Sequence, residues 1–261
     1  MPAFRKCLTL MLLGLAAGVG TASVAASDPQ TPPVQDSPET TAPAVPGESD
    51  ARGARAFSAS FDATAASKYL FQGIDYSEGM GVVQPELVAT LGSFSAVAWA
   101  NFQPDFGDFN EIDLTLKYAR SIQRWSISPG YTYLRYPHRV GWDPSQELTL
   151  DLGFESQLSP SLSLHYDFDA GKGLYATLGL SRELRAPVTV GANVFYQHNY
   201  YEMTGCPAVE LKASAALSLG AFSFTPSISN LVTGENRDFR GAAATPSTWL
   251  FSFNVARPIP F

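Results

Sequence analysis

The sequence predicts an all-β chain, an antiparallel up-and-down transmembrane β-barrel of about 12 strands, and three observations lead there. Apolar and polar residues alternate in one segment after another, and a period of two sends successive side chains to opposite faces of a strand. The alternating segments run to roughly 9–11 residues, the length a tilted strand needs to cross a bilayer. Their connections alternate long and short, as when one end of a barrel carries outside loops and the other tight turns.

The clearest segment runs from Gln146 to Asp169. Leu148, Leu150, Leu152 and Phe154 alternate with Glu147, Thr149, Asp151 and Glu155; then Leu162, Leu164, Tyr166 and Phe168 alternate with Ser163, His165, Asp167 and Asp169. Pro160 marks the turn between the two halves, so this is a hairpin with one apolar and one carboxylate-bearing face.

The other segments follow in chain order. Phe57 to Ala65 opposes Ser58, Ser60, Asp62 and Thr64, and Val83, Leu87, Ala89 and Leu91 oppose Gln84, Glu86 and Thr90. Phe94, Ala96, Ala98 and Ala100 oppose Ser95 and Asn101; Ile112, Leu114, Leu116 and Tyr118 oppose Glu111, Asp113, Thr115 and Lys117. Trp125, Ile127, Tyr131 and Tyr133 oppose Ser126, Ser128 and Thr132. Beyond the hairpin come Leu174 to Leu180, Val188 to Tyr196, Val209 to Leu217 opposing Glu210 and Lys212, Phe222 to Ile228, and Trp249 to Phe261. Pro85, Pro129 and Pro226 fall inside these segments, where proline removes a ladder donor, and bulges or shifted strand limits are expected there.

The connections at 70–82, 103–110, 137–145, 199–208 and 233–247 read as long outside loops, and that at 170–173 is brief and Gly-rich. Those at 92–93, 120–124, 156–161, 183–187 and 220–221 read as short turns on the side of both termini. Phe57, Phe94, Tyr118, Trp125, Phe154, Phe222 and Phe261 mark the turn-side ends of outward faces. Phe102, Tyr133, Phe168, Tyr196 and Trp249 mark the loop-side ends, as aromatic girdles do at two membrane borders.

The leading segments read differently. Arg5 and Lys6 precede an apolar run from Cys7 to about Val19 and small residues through Ala26, which is the pattern of a secretory signal peptide over 1–26. Residues 27–56, rich in Pro, Thr, Ala, Ser and acids, have little to bury and read as a disordered periplasmic tether. The barrel is expected over 57–261. A net charge of −7 over 261 residues gives no basic excess for nucleic acid. Cleavage of the leader leaves Cys206 and no cysteine cluster for a metal.

A secretory leader, repeated amphipathic strands and a terminal Phe261 on an alternating last strand resemble bacterial outer-membrane barrels, in which the final aromatic residue is the signal read by the assembly machinery. More narrowly, Ala66-Ser67-Lys68-Tyr69-Leu70-Phe71-Gln72-Gly73-Ile74 is similar to the Ser-x-Tyr-x-(Phe/Trp)-Arg-Gly segment of the TorF-type porin family, with Gln72 in place of the usual Arg. The resemblance implies the outer membrane of a Gram-negative bacterium. It also implies contact with membrane lipid and lipopolysaccharide.

Function is read from the inward face. Asp62, Glu86, Glu111, Asp113, Glu147, Asp151, Glu155, Asp167, Asp169 and Glu210 stand there with His165 against Lys68, Lys117, Arg182 and Lys212. Isolated carboxylates are costly to bury, so this many call for a hydrated lumen or dense pairing, and the hydrated lumen is the expectation. The reading is a narrow, cation-preferring channel for small solutes, constricted by a loop, with no cofactor, no metal and no catalytic residue. Two rivals are a barrel enzyme acting on lipid or lipopolysaccharide, for which His165 among acids is the candidate, and an adhesive barrel using Arg237, Asp238 and Arg240 of the longest loop. No HExxH or GxSxG motif occurs.

Overall fold

The computed structural model describes residues 57–72, 74–233 and 247–260. Twelve strands form the barrel: β1 Phe57–Ala66, β2 Val82–Leu91, β3 Phe94–Gln103, β4 Asp108–Tyr118, β5 Trp125–Arg135, β6 Ser145–Phe154, β7 Ser161–Asp167, β8 Gly173–Arg185, β9 Val188–Tyr200, β10 Ala208–Ala215, β11 Phe222–Thr233 and β12 Thr248–Ile259. Each pairs antiparallel with its chain neighbours, and β1 pairs with β12, which closes the sheet and leaves no free edge. Among the described residues there is no helix. The expected leader, the tether, Phe261 and the Arg237–Asp238–Arg240 stretch lie outside the described residues.

Burial runs opposite to that of a water-soluble protein. From Glu111 to Tyr118, β4 alternates buried Glu111, Asp113, Thr115 and Lys117 with exposed Leu114, Leu116 and Tyr118. The outer face carries Phe61, Leu87, Phe94, Trp125, Leu148, Trp249 and Phe251, each between 45% and 55% exposed. An apolar surface that wraps the whole barrel is stable only against lipid. Aromatic neighbours across strands mark its turn-side border: Phe94 packs on Tyr118 at 5.1 Å between ring centroids and Trp125 on Phe154 at 4.7 Å.

The three strand prolines produce neither bulges nor shifted limits. Pro129 pairs in register with Leu150 on one side. On its other side the ladder stops at Lys117–Gly130 and resumes at Arg120–Ile127 in the same register. Pro226 pairs with Phe253, while the opposite ladder stops at Ser214–Ser227 and resumes at Leu217–Phe224. Pro85 pairs with Ala63 and interrupts the ladder to β3 between Val83–Phe102 and Glu86–Trp99. A missing N–H costs one rung, and the rigid register of a closed barrel spans the gap. Register shifts fall elsewhere in the wall, at Asn101/Phe102 and Glu183/Arg185. The connection between β3 and β4 is shorter than expected, because β4 begins at Asp108.

Candidate functional site: the loop-side lumen

The first outside loop, 67–81, does not stay outside. Its sequence carries Tyr69, Leu70, Phe71, Ile74 and Tyr76, too much apolar surface for a solvated loop, and it folds as a small hairpin pairing Leu70–Phe71 with Ile74–Asp75. Asp75 organises the tip: Oδ1 accepts from the Ser77 amide at 2.9 Å and its hydroxyl at 2.8 Å, and Oδ2 accepts from the Gly79 amide at 2.9 Å. Tyr69, Ile74, Tyr76 and Val82 are buried together with Trp99 of β3.

Polar contacts seat this hairpin in the barrel mouth. The Tyr69 hydroxyl donates to Glu111 at 2.7 Å, Gln197 Nε2 donates to Gln72 Oε1 at 2.7 Å, and Gln103 Nε2 donates to the Ser77 carbonyl at 3.0 Å. Arg139, from the third outside connection, donates through Nη2 to the Tyr76 carbonyl at 2.8 Å. Burial first, and then the Glu111 charge, hold the Tyr69 phenol well above its ordinary value, so it stays a neutral donor. The same two causes raise Tyr136.

Beneath the hairpin lies a cavity of about 30 Å³, room for roughly two waters. Its wall is largely aromatic, with Tyr76, Tyr136, Trp142, Tyr175 and Tyr200 among the rings, and its acids are Glu111 and Glu147. Glu147, 1% exposed, is bonded to His165 Nδ1 at 3.2 Å and receives the Tyr200 hydroxyl at 3.3 Å. The His165 ring stacks on Tyr175 with centroids 4.3 Å apart. Asp113, 4% exposed, has Oδ1 without a hydrogen-bond partner.

The remaining sequence candidates divide by position. Asp167 accepts from Ser145, Glu210 from Asn193 at 3.0 Å, and Lys117 pairs with Asp151 at 2.7 Å. Glu86 is buried, and Asp62 opposite it is half-buried, as is Lys212. Glu155 and Asp169 lie just beyond the strand ends and are exposed at the two rims, because β6 stops at Phe154 and β7 at Asp167. Lys68 sits in the loop and donates to Thr248 at 3.0 Å. Arg182 is corrected: it opposes Val190, on the face that alternates with the Ser181–Gly191 pair, and is exposed on the outside.

The loop-side half of the lumen, expected to be hydrated and narrowed by a loop, is packed by the hairpin and the rings around it. Sequence reasoning missed Tyr69, Gln72, Arg139, Trp142 and Tyr200 as lumen residues. The apolar content of 67–76 was the available signal for the first two. Ser163, His165 and Glu147 stand in the order of nucleophile, base and acid, with His165 Nε2 3.2 Å from Ser163 Oγ. The Ser163 hydroxyl, however, donates to Asp151. With its proton committed to a carboxylate, Ser163 is a member of a bonded network and not an activated nucleophile. Among the described residues no group of His, Cys, Asp or Glu is arranged to hold a metal.

The fold and the lumen define a closed 12-strand barrel with an apolar exterior and a polar interior. Two solved structures share it: a KdgM porin, 11% identical, covering 77% of this chain and 99% of its own with a TM-score of 0.52, and a NanC porin, 11% identical, covering 76% and 100% with a TM-score of 0.52. At such identity the likeness is one of fold. No family model matches the chain, and no curated protein matches it.

Proposed function

We propose that the chain is a narrow outer-membrane channel that prefers cations and passes small solutes down their gradients without a cofactor. The observation that carries this reading is the acidic lining of the loop-side lumen, where Glu111 and Glu147 meet under a constricting hairpin inside a lipid-facing barrel. Carboxylates held in a low-dielectric constriction raise the local cation concentration and repel anions. The fold shared with two porins supports passage of solutes as the use of the lumen. On the same reading, residues 1–26 direct export, 27–56 form a periplasmic tether, Phe261 is the assembly signal, and the exterior contacts lipid and lipopolysaccharide of a Gram-negative outer membrane. The segment around Tyr69 makes a TorF-type porin the subfamily we favour.

Reversal potential in a planar bilayer under a tenfold KCl gradient tests the proposal. Cation preference is the expected sign, and neutralising Glu111 and Glu147 together as Gln reduces it. Anion preference of the unmodified barrel overturns it.

A further inference from the structure

The loop-side cavity has a composition that ordinary cation selectivity does not require. Acids alone attract K⁺ or Na⁺, whereas here they stand among aromatic rings. Such rings attract diffuse organic cations through their negative faces, and more strongly once water is excluded. The molecule already contains one such cation in place. The Arg139 guanidinium lies 4.8 Å from the Trp142 ring centroid and 5.5 Å from that of Tyr76, and both rings line the cavity.

The charge balance around the cavity is incomplete. Glu111, Asp113 and Glu147 act on one another electrostatically. Arg139 is the cation that acts on Glu111, and Glu147 has His165. Asp113, two positions along β4 from Glu111, has a buried oxygen without a hydrogen-bond partner.

We propose that this cavity is a binding site for a small organic cation, of the guanidinium or alkylammonium class, held by Glu111 and Glu147 against Tyr76 and Trp142. Arg139 is an internal competitor, because its guanidinium already engages Trp142, Tyr76 and Glu111, and entry of the ligand displaces it. The proposal deepens the cation-preferring reading and rests on it.

Methylguanidinium and N-methylurea have the same shape and differ in charge, so they isolate the claim. Titrated by ligand-observed NMR against the full chain in detergent micelles, methylguanidinium binds at least tenfold more tightly than N-methylurea. Glu147→Gln removes most of that difference, with folding checked by the fast gel mobility of the unheated barrel. Arg139→Gln strengthens methylguanidinium binding severalfold, a gain that misfolding cannot imitate. Equal affinity for the two probes, or an Arg139→Gln variant that binds no better than the parent, overturns the site. Because the assay reads binding and not current, a barrel with cation-preferring current and no discrimination between the probes overturns the site alone, while anion-preferring current overturns the channel reading.

Discussion

The two halves of the lumen are built on different principles. The loop-side half is filled: Trp99, Tyr175 and Phe195 project into it, and the hairpin bearing Tyr69 and Tyr76 drops into it from above. The turn-side half is lined by small residues, with Ser58, Ser60, Ser126, Gly153, Ser161, Gly179, Ser181 and Ser223 on the inner alternation. Several of these, Ser58, Ser126 and Ser161 among them, remain exposed although they face inward, as the walls of an open vestibule do. The glycines permit close cross-strand approach there, since a Cβ on Gly153 would come within 2.5 Å of Ser126 Oγ. On the proposed channel reading, resistance to flow and choice of solute reside in the upper half, and the lower half contributes width.

Removing the hairpin is the strongest way to break this contrast. Replacing residues 68–79 with a short Gly-Ser linker leaves all 12 strands intact and takes Tyr69, Ile74 and Tyr76 out of the mouth. Single-channel conductance is expected to rise severalfold and cation preference to weaken, because Glu111 and Glu147 then face bulk water. Unchanged conductance would mean that the constriction lies in the turn-side half.

A smaller effect comes from the hydroxyl that fastens the hairpin to the wall. Tyr69→Phe strips the 2.7 Å donor from Glu111 and is expected to cost about 1–3 kcal/mol in denaturant unfolding of the micelle-bound barrel. The pH dependence has a defined sign. Burial and Glu111 raise the folded phenol well above 10.0, so the folded state keeps a proton that the unfolded chain releases near that value. This stability is fully present below pH 10 and is lost as the pH climbs from there toward the folded value. The alkaline fall in stability should be shallower in Tyr69→Phe than in the parent, and equal slopes would remove Tyr69 from the account.

The contrast also separates what the sequence reveals from what it conceals. Strand number, pairing order and the outward face are local properties, written in a period of two, and each of the 12 strands overlaps an alternating segment, although β4 starts earlier and β6 and β7 stop short of Glu155 and Asp169. The acids could likewise be assigned to the interior, as Glu147 and Asp167 were, because alternation decides the face of a residue without reference to the rest of the chain. Depth and company are not local. Nothing in the neighbourhood of Tyr69 names Glu111 as its acceptor, 42 positions away, and Arg139 meets Tyr76 only because two separate loops converge on one mouth. Trp99 shows the same limit. On the sequence it is one large residue opposite a run of alanines, and its burial follows from the loop that covers it.

The smallest expected effects come from one substitution made in both halves. Ser145 on the loop side is fully buried, with Oγ 2.8 and 2.7 Å from the two oxygens of Asp167, and it accepts the Ala170 amide at 3.0 Å. Ser145→Ala leaves a buried carboxylate and an amide short of partners, and is expected to cost about 1–2 kcal/mol. Ser126 on the turn side is exposed to the lumen, so Ser126→Ala exchanges a hydroxyl bonded to water for a methyl and should stay within about 0.5 kcal/mol. Both residues face inward and both lose the same atom, so propensity and volume cancel in the difference between the two unfolding midpoints. What remains is the hydration of each half. A difference of about 1 kcal/mol or more identifies the upper lumen as a packed interior and the lower as a water-filled vestibule, whereas equal costs would mean that the two halves are equally wet.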